Sequence, residues 1–86
     1  MQKKKPLTKV KITFKANPNS INGVFKSDLV VAKSVGREYH EADFDFKNNI
    51  RILVYKCKSK KLLNQTIDGV KAINSIKGIR WKSYVV

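Results

Sequence analysis

From Thr8 onward the chain alternates apolar and polar residues. Val10, Ile12 and Phe14 share one parity, and Lys9, Lys11, Thr13 and Lys15 the other. That period of two predicts a half-buried strand with a cationic outer face. Asn17-Pro18-Asn19-Ser20 ends it, because Pro and Asn favour turns and the residue before Pro avoids the helical region. Over 20–34, Ile21, Val24, Phe25, Leu29 and Ala32 recur near helical spacing behind Ser20 as a cap, and Gly36 supplies a stop. Gly23 and the Val30-Val31 pair oppose a helix there, but the spacing prevails.

A second alternation follows over 38–57. His40, Ala42, Phe44 and Phe46 interleave with Glu41, Asp43, Asp45 and Lys47. Asn48-Asn49 then offers a two-residue turn, since Asn tolerates positive φ. Ile50, Ile52 and Val54 continue on one face, while Arg51, Leu53, Tyr55 and Cys57 take the other. This predicts a hairpin whose first strand carries acids, with Arg51 close to them across the turn. Ser59 reads as a helix N-cap, and Leu62, Leu63, Ile67, Val70, Ile73 and Ile76 extend an amphipathic pattern to about Lys77. Gly78 is placed as the C′ residue, and Ile79 to Val86 returns to a short strand containing Trp81 and Tyr84. The expected architecture is α+β: a two-layer β-α-β-β-α-β domain over 8–86, helices on one face of a small mixed sheet, behind a basic N-terminal arm over 1–7.

Composition narrows the class. Eighty-six residues make one domain, and an apolar share of 42% argues for a folded core. Cys57 is the single cysteine, which excludes an internal disulfide and fits a reduced, intracellular setting with the thiol as a small buried hydrophobe. With one histidine and one cysteine, no metal site or other cofactor is expected. Neither a membrane span nor the apolar segment of a signal peptide is present, so a cytoplasmic location is expected.

Charge changes the picture most. The net formal charge is +13, and its distribution is uneven. Residues 1–37 carry nine Lys/Arg against Asp28 alone, and 48–86 carry nine more against Asp68 alone. The other four carboxylates, Glu38, Glu41, Asp43 and Asp45, cluster in the first hairpin strand. A field this positive attracts polyanions, so nucleic acid is the expected partner. The candidate contacts are Lys3, Lys4 and Lys5 in the arm and Lys9, Lys11 and Lys15 on the first strand. Lys56, Lys58, Ser59, Lys60 and Lys61 lead into the second helix, whose N-terminal amides also suit a phosphate. Lys71, Lys77, Arg80 and Lys82 extend the charge beyond it. Lysines outnumber arginines heavily, which favours backbone contact over bidentate base reading. Phe14, Phe44 and Phe46 lie on apolar faces and read as core rather than stacking platforms, which points to structured or double-stranded RNA. An enzymatic reading has little support. Its best form is a small basic ribonuclease toxin using His40 with Arg37 or Arg51, and the carboxylates beside His40 read as a solvated strand face.

The order of features resembles the eukaryotic large-subunit ribosomal protein twenty-two family, as a shortened member. Val10-Lys11-Ile12-Thr13-Phe14 is similar to that family's first strand, and Pro18 to Asn22-Gly23-Val24-Phe25 to its turn into a first helix. Ile50 to Ser59-Lys60-Lys61-Leu62 resembles its hairpin strand and basic helix, and Ile79-Arg80-Trp81 with Val85-Val86 its end, without the Asp the family carries before Trp. The resemblance implies a structural constituent of the large ribosomal subunit that binds ribosomal RNA through helix 59–77 and its flanks. Neighbouring ribosomal proteins would be its other partners, with no membrane and no small-molecule substrate. Ile52-Leu53-Val54-Tyr55-Lys56 before a helix is also similar to the small RNA-binding subunit of the signal recognition particle. A phage or plasmid DNA-binding protein is the remaining alternative.

Overall fold

In the computed structural model, which describes residues 7–17 and 19–86, the two alternating stretches become strands and the two periodic stretches helices. The order is β1 (Thr8–Lys15), α1 (Ile21–Val35), β2 (Glu41–Asp45), β3 (Ile50–Cys57), α2 (Lys60–Lys71) and β4 (Arg80–Val85). The expectations for Lys3, Lys4, Lys5 and Pro18 lie outside the described residues. The domain is α+β, with a four-stranded sheet in the order β2-β3-β1-β4. Every neighbouring pair is antiparallel, which corrects the expected mixed sheet. β1 and β2 do run the same way, as a β-α-β crossover dictates, but β3 inserts between them and separates the parallel strands.

One face of the sheet holds the core. Val10, Ile12, Phe14, Leu53 and Tyr55 are sealed from solvent there by Val31 and Val35 of α1, by Val70 of α2 and by Ile73 just beyond it. Burying each large side chain contributes roughly 1.5–3 kcal/mol. On β3 register sets Leu53, Tyr55 and Cys57 on the core face, so Ile50, Ile52 and Val54 lie on the opposite face, the first two half-buried and Val54 buried. Cys57 is buried, its Sγ 3.6 Å from Thr66 Oγ1.

α1 starts and stops within one residue of expectation. Gly36 caps it at φ 89°, its N–H bonded to Ala32 O, a conformation that costs a residue without Cβ nothing. The buried stripe is different, however. Val24, Asp28, Val31 and Val35 face inward, while Phe25 and Leu29, expected on the apolar face, are 60% and 55% exposed. The rotation follows from Arg51, whose guanidinium emerges on the inner face of β3 and holds the Asp28 carboxylate at 2.7 and 3.1 Å. Arg51 therefore pairs with α1 rather than with the acidic strand, from which it takes only the backbone oxygen of Asp43, at 3.2 Å.

α2 ends at Lys71, earlier than the expected Lys77. Ile73 N bonds Val70 O at 3.1 Å in a tighter final turn, Asn74 and Ser75 beyond it are weak helix formers, and Ile73 and Ile76 reach the core from outside the helix. Gly78 does adopt positive φ, 70°, but in the turn that enters β4. The helices touch closely at Gly69, where a Cβ would stand 2.7 Å from Ser34 O and Val35 Cα. Ser34 Oγ donates to the Gly69 carbonyl across that contact. The hairpin turn spans Phe46 to Asn49 rather than two residues, because Asp45 accepts from Lys47 N, Asn48 N and Asn48 Nδ2 at 3.1, 3.2 and 2.9 Å. Those bonds, the Asn48 side chain foremost, hold the Asp45 carboxyl below its ordinary range. Only Asn49 takes positive φ, 55°.

Candidate nucleic-acid interface

The outer face of the sheet is left uncovered by both helices, and register decides what it displays. β1 contributes Lys9, Lys11, Thr13 and Lys15; β3 contributes Ile50, Ile52, Val54 and Lys56. β4 adds Arg80, Lys82 and Tyr84, and β2 adds Glu41, Asp43 and Asp45. The columns therefore run acidic, apolar, basic and basic from β2 to β4. Lys9 stands directly opposite Lys56, and Lys11 directly opposite Lys82. Facing positions on antiparallel strands hold their Cβ atoms about 5 Å apart, and like charges there are destabilising. Among the described residues, none of these lysines has a carboxylate within salt-bridge distance. Unrelieved pairs of this kind favour any polyanion that covers them.

The second cluster lies at the end of the sheet nearest Lys9 and Lys56. Lys58, Ser59, Lys60 and Lys61 are exposed there, where β3 passes into α2. Ser59 Oγ accepts from Leu62 N at 3.2 Å, which caps the helix and leaves its O–H to donate to a ligand oxygen. Leu7, expected in the arm, belongs to this end: its carbonyl accepts from Val86 N at 2.8 Å. At the opposite end, Lys15, Lys77 and Arg80 line an open cleft with Thr13, Ser27 and Ser75 above Ile50 and Ile76. Lys71 is not part of either group. It lies on the helix side, its Nζ 5.8 Å from the centre of the Trp81 ring.

The aromatic residues divide. Phe14 is core, but Phe46 is 72% exposed and packs 5.0 Å from Phe44, which corrects its expected burial. The β2 end of the inner face is simply not covered by α1. On the outer face the only aromatic among the described residues is Tyr84, 38% exposed.

The residues of the ribonuclease alternative do not converge. His40 Nε2 lies 3.5 Å from Glu41 and is solvent-exposed. Arg51 is held by Asp28, and Arg37 is turned under the sheet, donating to Lys56 O at 2.8 Å and lying 5.5 Å from the Tyr55 ring centre. The Tyr55 hydroxyl is buried without a hydrogen-bond partner, and burial pushes its pKa up to about 12. Among the described residues no helix is long and apolar enough to cross a membrane. No family model, curated protein or solved structure matches the chain.

Sequence reasoning found the cationic parity of β1 but did not find that Lys56, Arg80 and Lys82 join it. The signal for that lay in pairing β1 with both β3 and β4, which no local pattern encodes. It also misses the cleft at the far end, because the periodicity carries the helix on to about Lys77 where the structure ends it at Lys71.

Proposed function

We propose that this chain binds structured RNA through the open face of its sheet and the adjoining Lys58–Lys61 end, as a structural rather than catalytic component of a ribonucleoprotein particle. The observation that carries the reading is the pair of unrelieved cross-strand lysine contacts, Lys9–Lys56 and Lys11–Lys82. A phosphate backbone laid across the strands would convert both repulsions into attractions. Base stacking is a poor second choice, because the outer positions of β1 and β3 hold lysine, threonine and aliphatic side chains and no aromatic ring. Lysine-based contact with phosphates suits a folded or double-stranded RNA held by shape. The narrower reading, a constituent of the large ribosomal subunit in the cytoplasm contacting ribosomal RNA and neighbouring ribosomal proteins, rests on the family resemblance of the strand and helix motifs.

Fluorescence anisotropy with an RNA hairpin tests the proposal. With about six phosphate contacts, the logarithm of affinity should fall by roughly 4–5 per decade of salt. Lys9→Glu, Lys11→Glu and Lys56→Glu together should abolish retention, and Lys71→Glu should leave it nearly unchanged. Equal binding by the triple variant, or a binding constant indifferent to salt, sinks the reading. Co-sedimentation with large ribosomal subunits in high salt separates the ribosomal version from a signal-particle or DNA-binding one.

A further inference from the structure

The acidic ribbon on β2 has no part in binding a polyanion, and it weakens the field that does. Its place in the fold suggests a use. β2 and β4 are the two edges of the sheet, and among the described residues each pairs on one side only. Edge strands are ordinarily guarded by prolines, bulges or charge. Neither Glu41–Asp45 nor Arg80–Val85 contains a proline, and both pair with their neighbours in unbroken register. What guards them is charge of one sign each: Glu41, Asp43 and Asp45 on the outer side of β2, Arg80 and Lys82 on the outer side of β4. That arrangement forbids β2 from pairing with β2, and β4 with β4. It invites β2 to pair with β4.

The geometry points to head-to-tail addition of copies of this chain, the β2 edge of one pairing with the β4 edge of the next. Strand direction permits it. β2 runs antiparallel to β3, β3 to β1 and β1 to β4, so β2 and β4 run oppositely and two copies placed side by side meet as an antiparallel pair. Register permits it as well. Within one copy, Glu41 shares a row with Val54, Lys11 and Lys82, and Asp43 shares a row with Ile52, Thr13 and Arg80. Continuing those rows sets Glu41 against Lys82 and Asp43 against Arg80 of the neighbour, with opposite charges in facing positions. The other side of the sheet matches too, since small Ala42 then faces Trp81, which is 37% exposed. A self-pairing of either edge would instead place like charges opposite one another.

This interface is heterologous, so it does not close on itself in a dimer and propagates until a ring or the supply of copies ends it. Assembly would neutralise the acidic column and leave Lys9, Lys11, Lys15 and Lys56 on a ribbon of repeating basic strands. The inference does not depend on which polyanion, if any, those lysines bind. The net charge of +13 opposes approach at long range, but at about 0.15 M salt the screening length is about 8 Å, so contacts across the paired edge outlast the general repulsion.

The test uses the free protein without nucleic acid, in sedimentation velocity over a wide concentration range at that ionic strength. The parent chain should show a weight-average mass rising with concentration. Glu41→Lys with Asp43→Lys should remain at the mass of one chain, and so should Arg80→Glu with Lys82→Glu. The second result is the decisive one, because that variant carries less net charge and general repulsion alone would make it associate more. Combining all four substitutions should restore assembly. A parent chain that stays at the mass of one copy throughout overturns the proposal, as does stronger assembly by the Arg80/Lys82 variant. Hydrogen exchange on the parent guards against variants that fold poorly: amides of β2 and β4 should slow with concentration while those of β1 and β3 do not change.

Discussion

Along β1, side chains one residue apart meet opposite conditions. Ile12 and Val10 have no exposed surface, whereas Lys11 between them is exposed on an uncovered face. The inner parity is tied down by two helices and a buried ion pair. The outer parity is tied down by very little, since its lysines oppose one another across the strands. A sheet so divided keeps its buried apolar surface on one side and its unrelieved charge on the other, and the two should respond separately to substitution.

The largest expected effect lies on the inner side. Phe14→Ala, at a fully buried position, should cost about 3–5 kcal/mol in denaturant unfolding, whereas Lys15→Ala beside it should stay within about 0.5 kcal/mol. Asp28→Ala should cost a similar amount, about 3–5 kcal/mol, because it strands the Arg51 guanidinium under α1 without its carboxylate. If Asp28→Ala unfolds like the parent, the pair is not what sets the rotation of α1.

Tyr55→Phe sharpens the comparison at high pH. The folded phenol holds its proton to about pH 12, and an unfolded one releases it near pH 10. The folded state therefore binds more protons between those values. Ionisation of this group leaves stability unchanged below about pH 10 and lowers it as pH rises toward 12, by roughly 2 kcal/mol. Tyr55→Phe should flatten that decline in unfolding measured at stepped pH, and should cost nothing at neutral pH because the hydroxyl has no partner to lose. The smallest effect on stability belongs to the outer side. Lys11→Ala with Lys82→Ala should raise stability by a few tenths of a kcal/mol at low salt, while weakening RNA binding and reducing its salt slope by about 2.

The same division explains what could be read from the chain. β1 was legible because from Lys9 to Lys15 its two parities differ in character, apolar against lysine and threonine. β3 was not, since Ile50, Ile52 and Val54 are as apolar as Leu53, Tyr55 and Cys57, and only pairing with β1 decides which set is covered. The caps at Ser59 and Gly36 were legible because each is a local event, one side chain or one backbone conformation. The face of α1 was hidden because Asp28 occupies a buried position that periodicity assigns to an apolar residue. The end of α2 was hidden for the opposite reason: Ile73 and Ile76 keep the helical spacing while the backbone has already left the helix. For the candidate interface, Lys9, Lys11 and Lys15 were visible as a row. Their alignment with Lys56, Arg80 and Lys82 depends on strands far apart in sequence, and the inward turn of Arg37 and Arg51 depends on tertiary packing.

The strand order has a bearing on how the molecule comes into being. Of the six elements β1 is synthesised before the rest, yet one of its flanks is filled by β4, the sixth in order. Until then the nascent polypeptide exposes an unpaired flank beside a row of lysines, and closing it requires contacts between the first and last strands of the sheet in chain order. Such distant pairing is slow to nucleate and leaves an aggregation-prone interval, which makes prompt delivery of residues 80–85 the step on which recovery of native molecules should depend.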